Sequence, residues 1–489
     1  MSNALHAPEA LTFDDVLLVP AYSETLPRDA ETTTLFTPRI PLTIPIVSAA
    51  MDTVTESRMA VMLARLGGIG VLHRNLSVDE QVAEVDRVKR SQAGMITAPI
   101  HLPPDATVAD ARAVMARYHV SGLPVTEDDG RLVGIVTNRD IRFEEGDFRK
   151  VREVMTRENL VVGRLGTSLE EARETFRQHR IEKLPIVAED GKLCGLITVK
   201  DLGKAEQYPE ATRDHLGRLR VAAAVGVGAE AEERAAALVD AGVDAIVVDT
   251  AHGHSRAVLE TVRHLSRSLP VEIVAGNVVT ADGARDLIDA GATCIKIGVG
   301  PGAICTTRLV AGVGMPQLSA IAECAQVAHE RGATLIGDGG IRYSGDMAKA
   351  LAVGADSVML GSLLAGVDES PGEVIFERGE GYKEYRGMGS LRAMMGRGYS
   401  RDRYRQEHVS DVSKLVPEGV EARVPYRGGL ESLVNQLMGG VRAGMGYLGA
   451  ADLATLREAR LVRVTGAGQR EGQPHSVEVE DAGSELARF

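Results

Sequence analysis

Eight short β-rich runs alternate with helical stretches along this chain, and that alternation restricts its fold more than any other feature. The runs cover 44–48, 68–72, 219–223, 244–248, 271–274, 293–297, 333–336 and 356–360. Amphipathic stretches with apolar residues at helical spacing lie between most of them, as at 231–241, 281–290 and 318–330. A local pattern recurs ahead of several runs: Asp240-Ala-Gly-Val-Asp244, Asp289-Ala-Gly-Ala-Thr293 and Ala352-Val-Gly-Ala-Asp356. Its physical sense is a helix that ends on a left-handed glycine (Gly242, Gly291, Gly354) and re-enters a strand. Strand–helix repetition of this kind predicts parallel βα units. Eight of them predict a (β/α)8 TIM barrel, an α/β fold. A doubly wound sheet is the alternative, because periodicity does not establish closure.

The second and third runs are far apart in sequence, and the segment between them, roughly 93–207, contains a duplication. Val120-Ser-Gly-Leu-Pro-Val125, followed by Gly130 to Asp140, is echoed by Ile181-Glu-Lys-Leu-Pro-Ile186, followed by Gly191 to Asp201. The repeat resembles a tandem pair of CBS modules (a Bateman domain), with halves at about 93–150 and 151–207. In that family the Thr-x-x-Asp pair holds a purine nucleotide ribose. This makes Thr137, Asp140, Thr198 and Asp201 candidates for a regulatory nucleotide of the ATP or GTP class. Taken singly, each pair reads as a helix cap; the duplicated context favours a ligand. The barrel then occupies 1–92 and 208–489.

Composition narrows the function. The net charge is −13 with scattered Lys and Arg, which argues against a nucleic-acid surface. Aromatics are only 3% and Trp is absent, so the core must be aliphatic. Four cysteines are too few for a disulfide framework in so long a chain, and fit a reducing cytoplasm. The first residues show neither a basic nor an apolar leader segment. No apolar run approaches the length of a membrane span.

In a barrel, chemistry gathers where strands end. After the fourth run stands Asp249-Thr-Ala-His252-Gly-His254, after the fifth Gly276-Asn277, and after the sixth Gly298-Val-Gly-Pro-Gly-Ala-Ile-Cys305-Thr-Thr307. Gly337-Asp-Gly-Gly340 follows the seventh and Gly361-Ser362 the eighth, the usual place for a phosphorylated ligand. Cys305, presented by a glycine-rich loop, is the candidate nucleophile. Cys194, Cys294 and Cys324 fall in strand or helix patterns and read as packed thiols. His252 and His254 lack the further ligands of a metal site, so His252 is assigned to the surface or to stacking on a ligand. The polar, Arg-rich stretch 390–429 reads as a mobile lid, with Arg403-Tyr404 and Pro417-Glu418-Gly419 inside it. From spacing alone a solvated charged loop is the favoured reading of that stretch.

These motifs, together with Leu11-Thr-Phe-Asp-Asp-Val-Leu-Leu18, Ala49-Ala-Met-Asp-Thr-Val54, Tyr385-Arg-Gly-Met-Gly-Ser390 and the CBS insertion, resemble the inosine 5′-monophosphate dehydrogenase family along nearly the whole chain. The resemblance implies that Cys305 attacks C2 of the hypoxanthine and that hydride passes to NAD⁺. Arg403 then acts as the base on water, Tyr404 orients it, and Thr307 with Glu418 offers an alternative proton relay. It implies a nucleotide site at Met51, Ala303, Asp338, Gly339, Gly340, Gly361, Ser362, Tyr385, Arg386, Gly387, Met388, Gly389 and Glu418. It places NAD at Asp249, Thr250, His252, Asn277, Gly298, Val299 and Gly300. It implies a K⁺ site from Gly300, Gly302 and Cys305, completed by Glu471, Gly472 and Gln473 of a second copy in a homotetramer or octamer. Ala303 stands where the family usually has a serine, so weaker phosphate anchoring is expected. Gly472-Gln473 replaces the Ser-His common in bacterial members, though main-chain oxygens can still ligate. The nearest rival is GMP reductase, which shares the barrel and cysteine loop; Arg403, Tyr404 and Glu418 favour the dehydrogenase, because only hydrolysis needs them. A non-catalytic nucleotide sensor is the rival from another class, and the intact Cys305 loop argues against it.

Overall fold

Runs of Val, Ile and Ala with no polar face can be satisfied only by burial on both sides, and the chain achieves this by closing a sheet on itself. The structure is a computed structural model that describes residues 7–91, 99–118, 120–142, 148–164, 166–199, 202–203, 207–395, 403, 406 and 411–476. Eight parallel strands form a closed barrel: β1 (Ile46–Ser48), β2 (Ile69–Leu72), β3 (Ala222–Val225), β4 (Ala245–Asp249), β5 (Glu272–Val278), β6 (Cys294–Ile297), β7 (Thr334–Asp338) and β8 (Ser357–Leu360). All eight expected runs are strands of this barrel. β3 begins three residues later than expected: Leu219 and Val221 are buried without joining the sheet ladder.

Helices α1 (Ser57–Arg65), α2 (Val78–Ser91), α3 (Ala229–Asp240), α4 (Arg256–Ser268), α5 (Ala281–Asp289), α6 (Gln317–Glu330), α7 (Ser344–Ala352) and α8 (Leu430–Leu448) follow the successive strands. The glycine caps behave as expected. Gly242, Gly291 and Gly354 have φ of 90°, 110° and 113°. At Gly354 a Cβ would also meet Ala325 Cβ at 2.5 Å, so helix–helix packing, besides the turn, excludes a side chain. The amino end of the barrel is closed by the hairpin Thr34–Thr37/Ile40–Leu42, whose Phe36 is fully buried. Thr34 Oγ1 donates to the Asp356 carbonyl, and Thr334 Oγ1 donates to the Phe36 carbonyl. The functional residues therefore have only the carboxyl end available.

Residues Arg90–Pro209 and Arg213–Arg218 form a second compact unit, a few residues wider than the expected 93–207. The duplication is structural as well as sequential. In the first copy Gly122–Thr126 pairs antiparallel with Leu132–Thr137; in the second Lys183–Val187 pairs with Leu193–Thr198. The two hairpins bond reciprocally, Leu132 N to the Gly191 carbonyl (3.1 Å) and Leu193 N to the Gly130 carbonyl (3.0 Å). Thr137 accepts the capping role weighed for it: its N–H and hydroxyl both donate to Asp140 Oδ2 at 2.7 Å. The same two residues also line a cleft closed by Asn159–Val161 and Arg180–Lys183 of the second copy. Thr198 is not among the residues lining it. Asp201 lies outside the described residues. Cys194 is half-exposed on its strand, which corrects its assignment as a packed thiol: the hairpin edge leaves that face uncovered. No described helix is long and apolar enough to cross a membrane.

Candidate active site

The loop after β6 must reach over the barrel mouth, and glycine permits the approach. Gly298 has φ of 145°, and a Cβ there would lie 2.3 Å from the Asp338 carbonyl oxygen. Gln317 Nε2, from the first turn of α6, ties the two rims together by donating to the carbonyls of Ile297 (2.8 Å) and Asp338 (3.1 Å). Arg308 braces the far side of the loop through the Val299 carbonyl (3.2 Å) and the Met315 carbonyl. Cys305 emerges half-buried from this frame.

A short ladder brings the 418–420 segment against it. Thr306 N donates to the Glu418 carbonyl (3.0 Å), Val420 N to the Ile304 carbonyl (3.0 Å) and Gly387 N to the Val420 carbonyl (3.0 Å). This pairing aligns three side chains. Cys305 Sγ lies 3.2 Å from Thr307 Oγ1, and Thr307 Oγ1 donates to Glu418 Oε2 at 2.7 Å. The thiol thus begins a continuous hydrogen-bonded chain that ends on a carboxylate. Burial pushes the Cys294 thiol well up and the Cys324 thiol up to about 12, so neither supplies a thiolate.

On the opposite side, the ends of β4, β5, β6 and β7 converge on one buried cation, Lys296. Its ammonium contacts Asp249 Oδ1 (3.0 Å), Asp338 Oδ2 (2.6 Å) and Asn277 Oδ1. Asn277 Nδ2 donates to Asp338 Oδ2 (2.9 Å) and to the Gly298 carbonyl (2.7 Å). Asp249 also pairs with Arg403 through Oδ2. Burial alone would raise the Asp249 carboxyl, but Arg403 and Lys296 outweigh it and hold it at about 2. Lys296 was not singled out in the sequence, because it counts there only as one polar residue inside an apolar run.

One pocket collects most of the expected residues. Its lining includes Met51, Thr250, Asn277, Gly298, Val299, Gly300, Gly302, Cys305, Thr307, Asp338, Gly339, Tyr385, Gly387, Met388, Arg403 and Glu418. Gly340, Gly361 and Ser362 are not among the lining residues, though a Cβ on Gly361 would meet Tyr385 Oη at 2.7 Å. Tyr385 is buried, and that burial pushes its phenol upward, with Asp338 and Cys305 adding to the effect. Ala303 is exposed at the turn of the loop. Arg386 is drawn to Asp52, donating from Nη2 to Oδ2 (2.6 Å), and Asn75 Nδ2 donates to the same oxygen (2.7 Å). His252 is exposed, and His254 Nε2 lies 2.7 Å from Asp286. Glu471, Gly472 and Gln473 are exposed at the end of the helix Gly466–Glu471. Among the described residues, no cluster of three or more His, Cys, Asp or Glu forms a metal site. The expected lid is structured at both ends, as the helix Leu391–Met395 and the strand Glu421–Pro425. Tyr404 lies outside the described residues.

A glycine-framed thiol at the carboxyl rim of a closed barrel, linked to a hydroxyl and a carboxylate and facing a buried charge cluster, defines a (β/α)8-barrel protein with a thiol-centred pocket. The description "IMP dehydrogenase / GMP reductase domain" matches residues 10–475, so the chain belongs to that family. It is 57% identical over 475 residues to the inosine-5′-monophosphate dehydrogenase of Aquifex aeolicus, covering 96% of each chain. It is 53% identical over 483 residues to that of Bacillus subtilis, covering 98% of each. A solved GMP reductase of Trypanosoma brucei, a cysteine-to-alanine variant in complex with guanosine 5′-monophosphate, superposes with a TM-score of 0.87 at 42% identity. That match spans 98% of this chain and 100% of the other.

Proposed function

We propose that the chain catalyses NAD-dependent oxidation of inosine 5′-monophosphate to xanthosine 5′-monophosphate, a step of guanine nucleotide synthesis. The Cys305–Thr307–Glu418 hydrogen-bond chain carries this reading. It links the proposed nucleophile to a proton path, and Asp338 and Arg403 line the same pocket. Cys305 gives up its proton and adds through sulfur to C2 of the purine, the C–S bond forming as the C2–N3 double bond opens; that double bond returns when hydride leaves C2. Bound NAD⁺ would supply the acceptor for that hydride. Water then adds at C2, the C–S bond breaks, and the thiol recovers its proton. Glu418, through Thr307, is placed to take a proton from the water or return one to sulfur.

The backbone of Ala303, Gly340, Gly361 and Ser362, with Tyr385, would hold the phosphate. Asp338 and Gly339 would hold the ribose, and Met51, Gly387, Met388 and Gly389 the base, with Arg386 fixing that loop through Asp52. Asp249, Thr250, His252, Asn277 and Gly298 to Gly300 would line the dinucleotide side. Carbonyls of Gly300, Gly302 and Cys305 suit K⁺, a hard cation, with Glu471, Gly472 and Gln473 of another copy completing the shell in a homotetramer. The cleft lined by Thr137 and Asp140 suits a regulatory purine nucleotide. Four free cysteines support a cytoplasmic setting.

The test is direct. Protein mixed with inosine monophosphate and NAD⁺ should generate NADH absorbance, faster with K⁺ than without. The likeness to the reductase structure keeps a second reading in view. Consumption of NADPH with guanosine monophosphate, and none of NAD⁺ with inosine monophosphate, would decide for it. Ala303→Ser should lower KM for inosine monophosphate severalfold, because a hydroxyl bonded to a charged group is worth about 1.5–3 kcal/mol at best. It should leave kcat nearly unchanged, since the phosphate binds alike in ground and transition states. A raised KM would remove Ala303 from the phosphate.

A further inference from the structure

Lys296 is fully buried at the centre of the charge cluster, yet it makes no contact with the thiol chain. An ammonium has three N–H bonds. Lys296 donates to Asn277 and Asp338 and forms an ion pair with Asp249, so it engages three residues from three different strands. The lysine rises from the fourth, β6, where it is in register with Gly276 of β5 and Ile336 of β7. Four adjacent strand ends are therefore joined through one side chain.

The way it grips the carboxylates is informative. At Asp338, Oδ2 takes both Lys296 and the Asn277 amide, while the side chain stays partly open and lines the pocket. At Asp249, Lys296 lies on Oδ1 and Arg403 on Oδ2. At Asp338 the lysine thus holds Oδ2 inward, and Oδ1 is the oxygen left for whatever approaches from the pocket. A carboxylate anchored at one oxygen has a fixed direction for its second, which is what recognition of a sugar hydroxyl requires.

We infer that Lys296 is a positioning residue that sets Asp338 for a ribose and gives the site its preference for ribonucleotides over 2′-deoxyribonucleotides. The inference rests on the proposed placement of a purine nucleotide ribose at Asp338. The same ammonium offsets the charge of two carboxylates that would otherwise repel each other across the barrel mouth.

The experiment compares calorimetric binding of inosine monophosphate and its 2′-deoxy form to the full chain and to Lys296 variants. The unsubstituted protein should prefer the ribonucleotide by about 10²-fold or more, as a site built to bond a hydroxyl rejects the analogue lacking it. In Lys296→Met that ratio should fall to about fivefold or less, while alkylation of Cys305 by iodoacetamide proceeds at its original rate. Lys296→Arg, which keeps the charge and the donors, should restore most of the preference. A buried site that loses one member of an ion cluster can fail to fold. Lys296→Met with Asp249→Asn leaves the net charge as it was and should show the same lost preference. An undiminished ratio in either folded variant would reduce Lys296 to a structural tie and overturn the inference. No preference in the unsubstituted protein would instead overturn the ribose placement at Asp338.

Discussion

Cys305→Ala should abolish both NAD⁺ reduction and the covalent adduct while inosine monophosphate still binds. The expected loss in kcat is about 10⁴-fold or more, the scale of removing a nucleophile whose partners act as one unit. The thiol has no substitute among the remaining cysteines. Cys294 and Cys324 are buried in the barrel wall, with thiols pushed upward, and Cys194 belongs to the second compact unit. Binding should survive because Cys305 contributes one contact to a pocket that glycine backbone, Asp338 and Tyr385 also line. Intact-protein mass spectrometry after mixing with both substrates gives the adduct, and calorimetry gives the affinity. An adduct that persists in the variant would place the nucleophile on another side chain. Lost affinity in a folded variant would mean that sulfur contributes to ground-state binding.

The barrel was legible because apolar runs recur along the chain, and at several of them a glycine turning the preceding helix into the strand gives a second, agreeing signal. The thiol loop was legible for a similar reason, since three glycines within Gly298–Gly302 can serve only backbone that passes close to something else. What sequence could not convey is convergence. Lys296 sits in a strand of otherwise apolar residues, and its three partners are 19, 42 and 47 residues away. Its role depends on barrel closure, which places four strand ends around a single point. The pairing of Arg386 with Asp52, 334 residues apart, was hidden in the same way. The hairpin that closes the barrel floor was missed because short strands with mixed Thr, Leu and Phe carry little periodicity. At the Thr137–Asp140 pair, capping does not withdraw the carboxylate from the surface: it caps a helix and lines a cleft at once.

Arg403→Ala should split the reaction into its halves. Hydride transfer needs Cys305 and a bound purine but no activated water, so a burst of NADH should survive, close to one equivalent per site. Hydrolysis should then slow by about 10²–10⁴-fold, the usual contribution of a general base, and the adduct should accumulate. The structure adds a condition to this expectation. Arg403 is paired with Asp249, and Asp249 is held ionised at about 2 by Arg403 and Lys296 together, against its burial. The ion pair occupies the guanidinium, so Arg403 must leave Asp249 before it can reach a water. The Thr307–Glu418 couple needs no such release, since the bonds from Cys305 to Thr307 and from Thr307 to Glu418 are already formed. Residual hydrolysis in Arg403→Ala should therefore run through it, and adding Glu418→Gln should slow that residue by a further tenfold or more. Rapid mixing, following NADH for the burst and xanthosine monophosphate for release, separates the steps. If Arg403→Ala loses the burst itself while remaining folded, the arginine serves binding through Asp249 rather than water. If the second substitution changes nothing, the proton leaves by a route that does not include Glu418.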